Sequence, residues 1–186
     1  MSLSIAVIVG SLRKQSFNRK LAEAMTRLPE AQGHDFRFLE IGDLPLYNQD
    51  YDADQPAPTK RLKEEIRAAD AIIFITPEYN RSIPGVLKNA IDHASRPYGE
   101  SAWLGKPAGI IGISPGAMGT AMAQQHLRNV LAALDVRVLG LPEVFLQHRE
   151  TLFIENDVLS ESAAKLVGQW LKAFIAHAEL HRDHLD

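Results

Sequence analysis

The 186-residue chain has no cysteine, which excludes disulfide frameworks, thiolate metal sites and cysteine nucleophiles. It also lacks any apolar run approaching the roughly 18 residues that a membrane-crossing helix needs, and it begins without a basic segment leading into a long apolar one. A secretory leader is therefore not expected, and a cytoplasmic protein with no membrane partner is. Charge of one sign is lacking too. Twenty Lys and Arg stand against 23 Asp and Glu, a net charge of −3, so there is no electrostatic case for nucleic acid as a partner. Two nucleotide motifs and one metal motif are absent as well: the nucleotide loop GxxxxGK followed by Ser or Thr, the dinucleotide loop GxGxxG, and HExxH.

What the chain does contain is a regular alternation of short apolar runs and longer amphipathic stretches, the pattern of a parallel sheet covered by helices on both faces. A hydrophobic content of 46% over this length suits a single domain spanning residues 1–186. Ser4–Val9 reads as a first, fully buried strand, followed by a helix from Asn18 to Leu28 that stops before Pro29. Asp35–Ile41 reads as a second strand, and 42–58, with Pro45, Pro56 and Pro58, as a long irregular loop. A helix over Thr59–Ala69, a strand over Ala71–Thr76 and a helix over Pro84–Ala94, with Pro84 in its first turn, come next. Ala108–Ile113 gives a fourth strand, Gly119–Leu134 a helix, Val136–Leu139 the start of a fifth strand, and Ser160–His181 a long final helix.

In such folds ligands sit beyond the carboxyl ends of the strands, so the loops after the first, third and fourth strands are expected on one edge. The first, Gly10-Ser11-Leu12-Arg13-Lys14-Gln15-Ser16-Phe17-Asn18, places hydroxyls, an amide and a guanidinium before a helix N-terminus, where free N–H groups and the positive end of the dipole favour an anion. With one glycine rather than three, side chains must do more of the binding. Ser11, Ser16 and Asn18 offer neutral donors and Arg13 a charged fork, a set suited to one terminal phosphate monoester. On these residues alone a plain strand-to-helix turn with Ser16 as N-cap is the alternative.

The second loop, 77–85, carries Pro77 and Pro84 around Glu78, Tyr79, Asn80, Arg81 and Ser82. The prolines fix a backbone whose N–H and C=O groups can meet the edge of a flat heterocycle. Glu78 has no partner base, nucleophile or metal ligand nearby in sequence, so it reads as structural rather than as a general base. Tyr79 either packs on the loop or shields a ring face. The third loop, Ser114–Gly119, has small residues where a ligand edge would pass close to backbone. His177, His181 and His184 share a helical spacing but read as a solvated terminal face, and the isolated His93 and His126 as packing or interface residues.

The chain resembles the NADPH-dependent FMN reductase family, which includes bacterial quinone and chromate reductases. The resemblance rests on GSLRKQSFNRKLA at 10–22, TPEYNRSIPGVLKNAIDHASRP at 76–97, and SPGAMG at 114–119 followed by QQHLRNVLAAL at 124–134. It implies a flavodoxin-like, doubly wound α/β fold with five parallel strands in the order 2-1-3-4-5. It also implies FMN as cofactor and NADPH or NADH as co-substrate, with quinones, free flavin, azo compounds or chromate as small-molecule acceptors. On this resemblance Ser11, Arg13, Ser16, Phe17 and Asn18 line the phosphate site. Pro77, Glu78, Tyr79 and Asn80 follow the isoalloxazine edge, and Ser114 and Gly116 close the other side. No catalytic side chain and no metal are implied, since the chemistry belongs to the cofactor. The resemblance further implies a homodimer or homotetramer paired through the third and fourth helices, for which Val130–Leu134 serve as interface or as core. Arg81 and Arg96 are either contacts for a 2′-phosphate or solvated surface charges.

Overall fold

A computed structural model describes residues 2–182. Four parallel strands form most of the sheet: β1 (Ser4–Val9), β2 (Asp35–Phe38) at one edge, β3 (Ala71–Ile75) and β4 (Pro107–Ser114). With β5 (Arg137–Val138) they run in the order β2-β1-β3-β4-β5. Every residue of β3 and β4 is buried, and successive residues serve opposite faces, as the pleat requires. Ile5, Val7 and Val9 pack with α1 (Phe17–Met25) and α5 (Glu161–His181). Ala6 and Ile8 pack with α2 (Ala57–Ala68), α3 (Gly85–Ala94) and α4 (Ala121–Ala132). The two-sided burial explains why these strands read as unbroken apolar runs.

The expected elements are present with displaced ends: α2 begins at Ala57, which puts Pro58 in its first turn rather than in the loop, β4 is one residue longer at each end, and several others are shorter. The first helix stops at Met25, since Thr26 to Leu28 leave the helix ahead of Pro29. The second strand ends at Phe38, and Pro84 is the N-cap of α3 rather than a first-turn residue. The fifth strand comes in two pieces: β5 pairs with Pro107 and Ala108, while β6 (Phe145–Gln147) pairs with Gly112, Ile113 and Ser114. Residues 140–144, with Gly140 and Pro142, separate the pieces. Farther on, β7 (Phe153–Ile154) and β8 (Val158–Leu159) make a small antiparallel ribbon.

The irregular 42–56 segment is fastened to α3 by side chains. His93 is bonded through both ring nitrogens, to the Thr59 hydroxyl at 2.9 Å and to the Pro45 carbonyl at 2.8 Å. Asn89 donates to Pro45 O and accepts from Tyr47 N. Of the apolar residues at the end of α4, Leu131 is buried, and Val130 and Leu134 pack against the core. Val130 and Leu134 are half-buried, so part of each side chain also reaches the surface. His177 donates to Arg137 O at 2.7 Å and sits edge-on to His181. His184 lies outside the described residues. Among the described residues no cluster of three metal-ligating side chains forms, and no helix is long and apolar enough to cross a membrane.

Candidate flavin-binding site

Parallel pairing of β1, β3 and β4 brings the loops at 10–18, 76–82 and 114–120 to one edge. The first loop leaves β1 with Gly10 N donating to Ile75 O at 2.8 Å. A Cβ on Gly10 would press on Leu87 of α3 at 3.1 Å, so this glycine serves helix packing beside the site. Ser16 is the N-cap of α1, its hydroxyl oxygen accepting from Arg19 N at 3.2 Å, which leaves its O–H proton to donate. Among the described residues no protein acceptor meets the backbone N–H of Gln15, Phe17 or Asn18. Capped hydroxyl, unpaired N–H groups and helix dipole converge with the exposed Arg13, which is the donor set a phosphate monoester requires.

The structure divides the work of the loop's polar residues. Asn18 is 3% exposed, donates to Ile113 O at 2.9 Å and accepts from Ile113 N at 3.0 Å. Thr76 N donates to Ile111 O at 3.1 Å, the last backbone bond of β3 to β4, and beyond it Ile113 meets no peptide of that strand. The Asn18 amide takes the place of the missing peptide beside β4. Its side chain thus braces the loop, and what Asn18 has left for an anion is its backbone N–H. Ser11 Oγ lies 3.4 Å from Arg13 N. A cavity of about 340 Å³ opens beside this loop, between Arg13 and Glu40.

Phe17 stacks on His148, ring centroids 3.6 Å apart and planes at 25°, with the Arg13 guanidinium 5.0 Å from the Phe17 ring. His148 N donates to Ser114 O at 2.8 Å, and Gln147 Nε2 donates to Pro115 O at 3.3 Å. The end of β6 therefore joins the first loop to the third. Sequence reading missed both residues. The run Val144-Phe145-Leu146 ahead of them is apolar throughout and too short to carry a period that would single them out.

In the second loop, Pro77 is buried and Tyr79 is 52% exposed. Tyr79 and Ser82 exchange two backbone hydrogen bonds of 3.0 Å around Asn80 and Arg81. The Glu78 carboxylate accepts from Met122 N at 3.0 Å and Ala123 N at 3.1 Å, at the start of α4, the structural role expected for it. In the third loop Ser114 is 8% exposed, and a Cβ on Gly116 would meet only Ser114 Oγ, at 3.8 Å, so a ligand edge has room there. Of the two arginines considered for a 2′-phosphate, Arg96 is engaged by Tyr47 Oη at 3.0 Å and Asp52 at 3.3 Å. Arg81 touches Glu78 at 3.2 Å and is otherwise open, its side chain 71% exposed.

The strand order β2-β1-β3-β4-β5, with the anion-favouring start of α1 at the carboxyl end of β1, defines a flavodoxin-like α/β fold. Residues 3–151 match the NADPH-dependent FMN reductase family. The chain is 49% identical over 177 residues to a 2-hydroxy-1,4-benzoquinone reductase of a Burkholderia species, covering 95% of this chain and 96% of that one. It is 46% identical over 180 residues to a quinone reductase of Pseudomonas putida, covering 96% of each. A solved flavoenzyme, the NAD(P)H:(acceptor) oxidoreductase FerB of Paracoccus denitrificans, superposes with a TM-score of 0.91 at 44% identity, covering 96% of this chain and 98% of that one. The chain belongs to the NADPH-dependent FMN reductase family and is an FMN- and NAD(P)H-dependent oxidoreductase.

Proposed function

We propose that the protein, as one flavin-binding domain, takes reducing equivalents from NADPH or NADH and delivers them to quinones, with free flavin, azo compounds and chromate as further acceptors. The observation that carries the reading is the cradle at the start of α1, which fits one phosphate monoester and is too poor in glycine for a pyrophosphate. Similarity to reductases of 2-hydroxy-1,4-benzoquinone and other quinones supports the choice of acceptor.

Ser11, Arg13 and Ser16, with the backbone of Phe17 and Asn18, hold the phosphate. Pro77, Glu78, Tyr79 and Asn80 form one wall of the ring slot, and Ser114 and Gly116 the other. FMN, when bound, supplies the hydride-accepting and electron-passing chemistry. The protein's part is orientation: fixed backbone groups along the ring edge, and an open mouth at which donor and acceptor bind in turn. A cytoplasmic setting belongs to the same proposal, as does a homodimer or homotetramer. Its support is the exposed apolar Leu46, on the loop fastened to α3, and Met122 on α4, 86% and 41% exposed. Light scattering on the purified protein tests the assembly.

The cofactor assignment is tested by titrating FMN and following quenching of its fluorescence. Arg13→Ala removes a charge-assisted bond worth roughly 1.5–3 kcal/mol, so its Kd rises at least about tenfold. Unchanged affinity would remove Arg13 from the phosphate site.

A further inference from the structure

The hairpin of the second loop is held in a conformation its residues do not favour. Asn80 and Arg81 have φ of 52° and 65°, the two left-handed positions of a tight turn of type I′. Asparagine tolerates that region and arginine does not. The turn is an isolated bridge outside the sheet, and a lone two-stranded ribbon is barely stable in water. What holds it comes from α4. Thr120, the N-cap, makes no side-chain capping bond; its hydroxyl accepts from Gln124 Nε2 at 2.9 Å. The helix is capped from outside instead, by Glu78, whose Oε2 takes the N–H groups of Met122 and Ala123 while Oε1 takes Arg81 Nη1 at 3.2 Å. At the far end of the hairpin, Ser82 Oγ lies 2.7 Å from His126 Nδ1, one helical turn farther along α4.

We propose that Glu78 and His126 are positioning residues that bolt the 79–82 hairpin to α4 and so fix the width of the slot between the second and third loops. The inference rests on the flavin reading above. Neither side chain needs to touch the ring. One bolt stands at each end of the hairpin, and both anchor on the helix that begins where the third loop ends. Glu78 adds a fixed negative charge beside the slot, offset against the helix dipole.

Hydrogen exchange on the flavin-free protein reads the bolts directly. Glu78→Ala speeds exchange of the Tyr79 and Ser82 amides at least tenfold, and Ser82→Ala and His126→Ala each do so by a similar factor, with the double variant no worse than either single one. In FMN-loaded protein, Glu78→Ala slows reduction by NADPH at least tenfold at saturating nucleotide. Glu78→Gln, which keeps an accepting oxygen, restores slow exchange yet raises the flavin midpoint potential, because a charge opposing reduction has gone. Unchanged exchange in Glu78→Ala, or additive effects of the Ser82 and His126 variants, would overturn the bolts. Failure of the unmodified protein to bind FMN would instead overturn the flavin reading and with it the slot, while the exchange result still decides the hairpin.

Discussion

Replacing Asn18 separates bracing from binding at the phosphate loop. Its amide is 3% exposed and exchanges two hydrogen bonds with Ile113. Asn18→Ala removes both and leaves a buried N–H and a buried C=O without their partner. A lost bond with its group stranded costs about 1–3 kcal/mol, and partial relaxation shared between adjacent groups brings the pair to about 2–4 kcal/mol. For a chain of this size that is a fall of roughly 5–15 °C in Tm, read by calorimetry or denaturant unfolding of the flavin-free protein. Asn18→Asp sharpens the assay. One carboxylate oxygen can still accept from Ile113 N–H, but the other faces the Ile113 carbonyl, so the protonated acid, which can donate there, is the form the fold prefers. The folded-state pKa is then raised above the ordinary Asp value of about 3.9. Stability is recovered as pH falls and is lost as pH rises through that raised value. A variant Asn18→Ala that melts within about 2 °C of the parent but loses FMN affinity would refute the brace and make the amide a phosphate ligand.

Two further perturbations follow from buried positions. Gly112 lies where β4 passes beneath the Thr76 carbonyl, and a Cβ there would overlap that oxygen and crowd Thr120 Oγ1. Gly112→Ala should therefore lose at least about 3 kcal/mol by overpacking, measured by urea unfolding, and a parent-like midpoint would contradict the close approach. Lys106 is 7% exposed and donates to Ala69 O at 2.5 Å and Arg67 O at 3.0 Å, capping the end of α2. Burial pushes its pKa below the ordinary 10.5. In the window just under 10.5 the unfolded chain binds the extra proton, so this group's contribution to stability rises with pH. Lys106→Met should lack that rise relative to the parent in unfolding curves from neutral pH to 10.5, and parallel curves would show that burial does not perturb the lysine.

Much of the fold was legible because β1, β3 and β4 are buried on both faces and stand out as apolar runs between turn residues. The three-residue β6 and the two-residue β7 and β8 were not, since so few residues carry no periodicity, and His148 and Gln147 went unnoticed with them. At the site, the first loop's chemistry could be read from its residue types, but not its division of labour. An amide that braces β4 and one that meets a phosphate look the same in sequence. Glu78 was readable as structural from the absence of a chemical partner nearby, whereas the helix it caps lies 44 residues away. The same distance hides Ser82 from His126, because only the parallel crossover brings the second loop onto α4.

The most direct test of the central claim is a pair of half-reactions on the purified, FMN-loaded protein. Without oxygen, mixing with NADPH or NADH should discharge the yellow colour in a single rapid phase, and adding a quinone should restore it. Protein that takes up no FMN, or that keeps its colour in the presence of both nucleotides, would contradict the account.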